Sequence, residues 1–247
     1  MLKNWTVKTK QIKENIKGLI NHFNYLSDNN RKSHIYTKII DLNNSPKRLQ
    51  YIIDQYEKRK STRKIKGLRG GGISNLTTSF VLSIPKDIPQ PTIKQWSYIV
   101  SVILNDLSKE LNIDNSELIK STIVYYHNEE KSPDKNNHCH MLISNILNNE
   151  YEKRITQKVT TTTIKKSFNK AIKKTVNIDN LKYNPKALNI KNKPLWIARK
   201  EKEKEKEKEN IIDDSYLTGL EKLKNELVIN NKVNRKNNYS KTLKNDK

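Results

Sequence analysis

Two apolar runs on either side of a polar loop constrain the fold of this chain more than any other feature of its sequence. The first run covers residues 122–126, the loop covers residues 128–137, and the second run covers residues 138–144. Short apolar runs bounded by polar residues are typical of strands, and a polar loop between two of them favours a hairpin. The sequence therefore predicts a pair of antiparallel strands here.

The spacing of apolar residues predicts the remaining elements. Recurrence at intervals of three and four residues indicates an amphipathic helix, whereas alternation indicates a strand. Ser45 before Pro46 predicts a helix start with Ser45 as the N-cap, and Thr92 begins another helix. We expect further strands at residues 5–7, 34–42 and 79–84, and helices at residues 11–26, 45–66, 92–111 and 162–175. The predicted fold class is α+β, with a mostly antiparallel central sheet and flanking helices.

A change of composition after Trp196 predicts where this domain ends. Residues 199–209 alternate between Lys and Glu, a pattern typical of a solvated helix or a linker. Residues 210–228 have the spacing of a short amphipathic helix, and residues 230–247 have the composition of a disordered tail. We therefore expect one domain over residues 1–198 and a Lys/Glu-rich linker with a basic tail over residues 199–247.

The formal net charge of +23 predicts a polyanionic partner. A composition rich in Lys, Asn and Ile accounts for part of this excess, and the remainder favours nucleic acid. No apolar run approaches the roughly 18 residues that cross a bilayer, so we expect no membrane segment. The first residues form no apolar signal region, which favours the cytoplasm. The single cysteine, Cys139, excludes an intrachain disulfide.

Three of the five histidines lie in the predicted hairpin. Because side chains alternate along a strand, His138 and His140 point to one face while Cys139 points to the other. His127 ends the preceding strand, so pairing brings its ring to the same face. Three neutral imidazoles bind a divalent cation and leave it open positions. Such a cation can coordinate a phosphodiester oxygen and stabilise the negative charge that develops there.

A tyrosine is the candidate nucleophile, since no serine or cysteine pairs convincingly with a base. A phenol that attacks a phosphodiester forms a phosphotyrosine, which conserves the bond for later rejoining. Tyr25, one of eleven tyrosines, lies on the polar edge of the first predicted helix. His22 lies three residues earlier and therefore on the same side of that helix.

These segments resemble the MobA-type (MOBQ) relaxases of the HUH endonuclease superfamily. Residues 121–130 and 137–144 are similar to the metal-binding motif of that family, in which a strand ends in His and a loop leads to Asn-Pro-His-x-His. Asn137 stands where the family has proline, and the loop is a few residues longer. Residues 80–85, 4–8 and 23–28 are similar to the Leu-Pro strand, the first strand and the tyrosine-bearing helix end of the family.

The resemblance implies a fold, an activity and a site. Tyr25 would be the nucleophile, and His127, His138 and His140 would hold Mg²⁺ or Mn²⁺, with Zn²⁺ also acceptable to imidazoles. The enzyme would nick single-stranded DNA at a plasmid transfer origin and start mobilisation, with accessory mobilisation proteins as further partners. Family members often carry a glutamate on the strand before Leu-Pro, where this chain has Thr77-Thr78-Ser79. The general base therefore stays open among Asp28, Glu129 and Glu130. His22 could assist Tyr25 or replace it as the nucleophile, since some related relaxases are thought to use histidine.

DNA contacts are predicted from basic and aromatic residues. The basic run at residues 58–66 and the residue Arg69 precede a glycine-rich break, and Lys64, Lys66 and Arg69 are the candidates for the DNA backbone. Single-strand binding also uses aromatic stacking platforms. Trp5, Tyr36 and Trp96 are the candidates, although Trp96 also belongs to an apolar stripe that favours the core.

Three other functions stay open on the sequence. A rolling-circle replication initiator uses the same metal chemistry with a later tyrosine, for which Tyr151 and Tyr183 are the candidates. A non-catalytic basic nucleic-acid-binding protein would use its histidines structurally and would bind in a salt-sensitive way. A transposase of the same superfamily is the third.

Overall fold

The computed structural model describes residues 6–70, 72–129, 131, 135–179 and 182–183. They form an α+β fold in which helices flank a five-stranded antiparallel sheet of strand order β1-β3-β5-β4-β2, as the sequence predicts. The strands are β1 (Thr6–Ile12), β2 (Lys38–Asp41), β3 (Thr77–Ser83), β4 (Thr122–Asn128) and β5 (His138–Ser144), with a small ribbon of β6 (Ile146–Leu147) and β7 (Glu150–Tyr151). The helices are α1 (Asn15–Ser27), α2 (Ser45–Ile65), α3 (Ile93–Leu111), α4 (Asn115–Lys120) and α5 (Lys158–Val176). Trp5, the predicted domain boundary and everything predicted beyond it lie outside the described residues.

One face of the sheet packs against α3 and α5 through a large apolar core. Cys139 and Met141 of β5 are fully buried in it. Trp96 of α3 is also fully buried and lies 5.2 Å from Tyr126 and 6.1 Å from Phe168, measured between ring centroids. The prediction that Cys139 is a small core residue is therefore confirmed. The prediction that Trp96 is a stacking platform for bases is wrong, because its fully buried ring is not accessible to a ligand. The prediction that it belongs to the apolar stripe of its helix is confirmed.

The other face packs against α1 and α2. Leu19 and Leu26 of α1 and Ile52 of α2 are fully buried against sheet residues that include Ile123 and Leu142. Strand alternation then places His138 and His140 on the same face as Leu142. The helices on this face thus lie beside the histidines, whereas α3 and α5 support the sheet from behind.

Several element boundaries differ from the predicted ones for local reasons. Strand β1 continues to Ile12 because Lys10 and Gln11 pair with β3, so α1 begins at Asn15 and not near Gln11. Asn44, not Ser45, precedes α2, and the Ser45 hydroxyl donates to Asp41 at 2.8 Å. Thr92 does cap α3, through a reciprocal pair of hydrogen bonds with Gln95.

Three further differences concern short segments. Strand β2 begins only at Lys38, because Lys32–His34 forms a 3-10 turn. Helix α5 begins at Lys158, one turn earlier than predicted. Helix α4 and the β6–β7 ribbon are too short to produce a clear periodic pattern, and they were not predicted.

Gly18 permits the close approach of α1 to the chain segment that follows β1. A Cβ atom at this position would lie 1.7 Å from the carbonyl oxygen of Lys13 and 2.9 Å from its carbonyl carbon. Both are backbone atoms, so no side-chain rotation can relieve the overlap.

We expect Gly18→Ala to lower the free energy of unfolding. In an open helix this change adds about 1 kcal/mol of stability, but overpacking costs about 1–3 kcal/mol, and an overlap this close should reverse the sign. Urea denaturation of the two proteins measures the difference. Gly72→Ala is the matched control, because nothing lies within 4 Å of the added atom. A Gly18→Ala variant as stable as wild type would contradict the packing of α1.

Candidate metal centre

Three imidazole rings converge at the end of β4 and the start of β5. His127 pairs directly with His138 across the two strands, and His140 lies two residues further along β5 on the same face. Their ring centroids are 5.1 Å (His127–His138), 4.7 Å (His127–His140) and 4.8 Å (His138–His140) apart. One nitrogen of each ring lies within 4.8 Å of the corresponding nitrogens of the other two. The structure thus brings together the three residues predicted from the sequence.

Backbone carbonyls fix which nitrogen of two rings is available. His127 donates from Nε2 to the carbonyl oxygen of Leu26 at 2.9 Å, and His138 donates from Nδ1 to that of Asn136 at 2.8 Å. Because a carbonyl can only accept, the other nitrogen of each ring carries the lone pair. Such carbonyl partners are the usual orienting groups of metal-binding histidines.

The third ring has a nitrogen without a partner. Nδ1 of His140 is buried and has no hydrogen-bond partner among the described residues. A buried polar atom is normally paired, and an unpaired one calls for a ligand or an ion. Three imidazoles, two of them oriented by carbonyls and one with an orphaned nitrogen, fit a divalent metal.

The rings are held in the neutral form that binds metals. Burial, followed by the proximity of His138, lowers the pKa of His127 to about 3. Burial also lowers the pKa of His138 and lowers that of His140 well below its ordinary value. No proton therefore has to be displaced from these rings when a cation binds near neutral pH.

Tyr25 lies beside this cluster and is linked to it through a fourth imidazole. The half-buried Tyr25 ring is 5.1 Å from the ring of His34, which is itself 5.1 Å from His127. His34 is buried and donates from Nδ1 to the carbonyl oxygen of Asp28 at 2.7 Å. The structure therefore places the predicted nucleophile one ring away from the predicted metal ligands.

Two residues near Tyr25 were missed on the sequence. The alternation around His34 predicts a strand, but the turn at Lys32–His34 brings its ring onto Tyr25. The guanidinium of Arg31 lies 5.2 Å above the Tyr25 ring, within cation–π range. Arg31 also pairs with Asp28 at 3.5 Å, and this i,i+3 charge pair is the only sequence signal that points to it.

The predicted assisting residues have different surroundings. His22 lies 6.0 Å from Tyr25, and its buried Nε2 has no partner among the described residues. Glu129 is buried and accepts a hydrogen bond from the Thr37 hydroxyl at 2.9 Å. Its charge opposes the lowering of the pKa of His138, which places the carboxylate near that ring. Asp28 is engaged with Arg31, and Glu130 lies outside the described residues.

The predicted DNA-binding cations lie elsewhere on the molecule. Lys64 belongs to the last turn of α2, and Lys66 and Arg69 follow it. Together with Arg59, Lys60 and Arg63, Lys64 lines a hollow of about 360 Å³ that continues towards Ile73. Among the described residues, no hydrogen bond or ring contact joins any of these three side chains to the three histidines. Their role in DNA binding stays a prediction, as does that of Tyr36, whose side chain is 59% exposed.

The two alternative tyrosines lie at other places in the fold. Tyr151 pairs with Ile146 beyond the end of β5, so the whole length of β5 separates it from His138. Tyr183 packs against the α3–α5 core on the other face and donates to Asp87 at 2.5 Å. Tyr151 is thus remote from the cluster, and Tyr183 packs on the opposite face of the sheet.

Comparisons of the chain with protein-family models, with curated proteins and with solved structures yield no match. In the described part of the chain, no helix combines the length and the apolar character needed to cross a membrane.

We expect the protein to bind one Mn²⁺ per chain, and His138→Ala to weaken this binding. Loss of a second-layer partner alone typically costs 10–100-fold in metal affinity, so the loss of a ligand should cost roughly 100-fold or more. Isothermal titration of the metal-free protein measures the effect. His138 is the suitable position because it is half-buried, whereas His127 and His140 are buried. Tyr25→Phe is the control and should bind Mn²⁺ like wild type. Equal Mn²⁺ binding by His138→Ala and wild type would contradict the proposed metal centre.

Acid should destabilise the metal-free protein through these rings. The pKa of His127 is about 3 in the folded protein and about 6.5 in the unfolded chain, so the unfolded chain takes up protons first as the pH falls. The contribution of His127 to the free energy of unfolding is therefore fully present above about pH 6.5 and declines as the pH falls below it.

Urea midpoints in EDTA at about pH 7.5 and about pH 5.5, above the range where carboxylates titrate, measure this decline. A variant with Gln at residues 127, 138 and 140 should lose less stability than wild type over the same interval. Equal losses in the two proteins would show that the rings titrate normally.

Proposed function

We propose that this chain is a metal-dependent DNA nicking and joining enzyme of the HUH type, similar to the MobA-type relaxases that start plasmid mobilisation. The observation that carries the proposal is the placement of the Tyr25 phenol beside three converging imidazoles, with His34 between them. A phenol next to a metal-binding cluster suits phosphodiester transfer better than a structural role, because neutral imidazoles crowded this closely are costly without a ligand.

The proposed reaction transfers one phosphodiester bond to the protein. The oxygen of Tyr25 attacks the phosphorus, the bond from phosphorus to the 3′ oxygen breaks, and the proton lost by the phenol is balanced by one taken up at the leaving 3′ oxygen. The product is a 5′-phosphotyrosine and a free 3′-hydroxyl, and the reverse step rejoins the strand. A divalent ion held by His127, His138 and His140, Mg²⁺ or Mn²⁺ with Zn²⁺ also acceptable, would polarise a non-bridging phosphate oxygen.

Residues around Tyr25 position the nucleophile. The ring of His34 packs against both Tyr25 and His127, so it holds the phenol at a fixed place relative to the cluster. The guanidinium of Arg31 lies over the phenol ring, where it can pair with the phosphate once that is attached. The ring of His22 lies 6.0 Å from the phenol ring, measured between centroids, and Glu129 is the carboxylate near His138.

The proposed partners follow from the charge and the chemistry. Single-stranded DNA at a transfer origin is the substrate, and accessory mobilisation proteins are further partners. We place the enzyme in the cytoplasm, where plasmid DNA is found. Lys64, Lys66 and Arg69 are proposed to contact DNA from the end of α2, away from the histidines.

We expect Tyr25→Phe to abolish covalent attachment to DNA while metal binding persists. The substrate is a random-sequence pool of single-stranded oligonucleotides with Mn²⁺, because such a pool contains any short recognition site. Adducts that survive denaturing electrophoresis are counted, and sequencing of the attached strand maps the cleaved bond. Wild type should form adducts through the 5′ end of the downstream fragment.

The matched control is Tyr151→Phe, which should form adducts as wild type does. Adducts that persist in Tyr25→Phe and disappear in Tyr151→Phe or Tyr183→Phe would favour a replication initiator instead. Salt-sensitive DNA binding without adducts, with any of the divalent metals, would leave a non-catalytic nucleic-acid-binding protein.

A further inference from the structure

A row of lysines follows the edge strand on the same face of the sheet as the histidines. Lys8 of β1 pairs with Val81 of β3, which in turn pairs with His140 of β5. Residues paired across neighbouring strands point to the same side of a sheet. Lys8 therefore shares a face with His140, and Lys10, two residues along β1, shares it too. Both lysines are exposed.

A hollow lies at each end of this row. One, of about 270 Å³, lies at the start of β1 and is lined by residues that include Lys8, Ser83, Lys135 and His138. The other, of about 390 Å³, lies between the end of β1 and α1 and is lined by residues that include Lys10, Lys13, His22 and Tyr25. One hollow thus reaches a predicted metal ligand, and the other reaches the predicted nucleophile.

The charge along this path is almost entirely positive. Four lysines line the two hollows: Lys8, Lys10, Lys13 and Lys135. Glu14 is the single carboxylate among the residues that line them. Lys135 also donates to the backbone carbonyl of Ser33, which holds its ammonium group near the turn that carries His34. A concave basic path of this kind suits a polyanion.

The arrangement suits one nucleic-acid strand. Side chains two residues apart on a strand are about 6.8 Å apart, so Lys8 and Lys10 can contact successive phosphates. The cations form one line along β1, whereas the two backbones of a duplex need two. The hollows are also small compared with a duplex.

We propose that the histidine-side face of β1, with the hollows at its two ends, is the track along which single-stranded DNA reaches Tyr25 and the imidazoles. The lysines contact the phosphates, so the track binds without regard to base sequence. This inference rests on the proposed function, because the track is taken to lead to the proposed nicking site. The binding that it predicts requires no cleavage. It places the DNA strand along β1, a position distinct from the predicted DNA contacts at the end of α2.

Fluorescence anisotropy with a dye-labelled thirty-nucleotide oligothymidine tests the track. The full chain is titrated in EDTA at several salt concentrations, as wild type and as the double variant Lys8→Gln/Lys10→Gln. Removal of two phosphate contacts should reduce the slope of log K against log salt by about 1.4 and weaken binding roughly tenfold at low salt. Lys165→Gln/Lys166→Gln on α5 is the matched control, because these lysines are exposed and belong to a helix behind the other face of the sheet.

Each outcome decides the inference. Loss of affinity in the β1 variant alone, with an unlabelled thirty-base-pair duplex a poorer competitor than the single strand, supports the track. Equal binding by the β1 variant and the α5 control overturns it, as does preference for the duplex. Loss of affinity only in the double variant Lys64→Gln/Lys66→Gln overturns the inference and places the DNA strand at the end of α2.

Adduct formation is scored separately from this binding. A protein that binds oligothymidine through the β1 lysines and never forms an adduct keeps the track but loses the nicking function. A protein that forms adducts while the β1 variant binds like the α5 control keeps the function but loses the track.

Discussion

The hydrogen bond from His127 to the carbonyl oxygen of Leu26 joins the two halves of the candidate site. The carbonyls in the last turn of a helix have no partner within the helix, and Leu26 lies in the last turn of α1. Its oxygen is therefore free to orient the His127 ring, while its fully buried side chain anchors α1 on the sheet. Because Tyr25 is the preceding residue, the same bond sets the distance between the phenol and the imidazoles.

The strand half of the site could be predicted from the sequence because it follows from a period of two. Once β4 and β5 pair, His138 and His140 must share a face and Cys139 must point into the opposite core, and the observed register places His127 opposite His138. The long helix α3 was predictable for a similar reason, since its apolar stripe is regular and Thr92 marks its start. Periodic patterns of this kind predict an element whatever tertiary contacts it later makes.

The loop half of the site could not be predicted in this way. Ile12 continues the helical spacing of α1, yet it is buried as the last residue of β1, because the partner β3 decides where that strand ends. His34 lies in an alternating stretch, but a 3-10 turn redirects its ring towards Tyr25. Arg31 has no periodic pattern around it. These positions depend on contacts between distant segments, for which a single sequence carries no signal.

The electrostatics of the cluster favour a bound cation over an empty arrangement. His127 lies within 5.1 Å, between centroids, of three other imidazoles: those of His34, His138 and His140. Protonation of His127 and of His140 is opposed by burial and by the neighbouring imidazoles, so these two rings cannot relieve the crowding by taking up protons. The strand β3, which has no carboxylate at residues 77–83, supplies no counter-charge. Glu129, the residue after β4, places a carboxylate near His138, and a divalent cation would satisfy Nδ1 of His140, which the described residues leave without a partner.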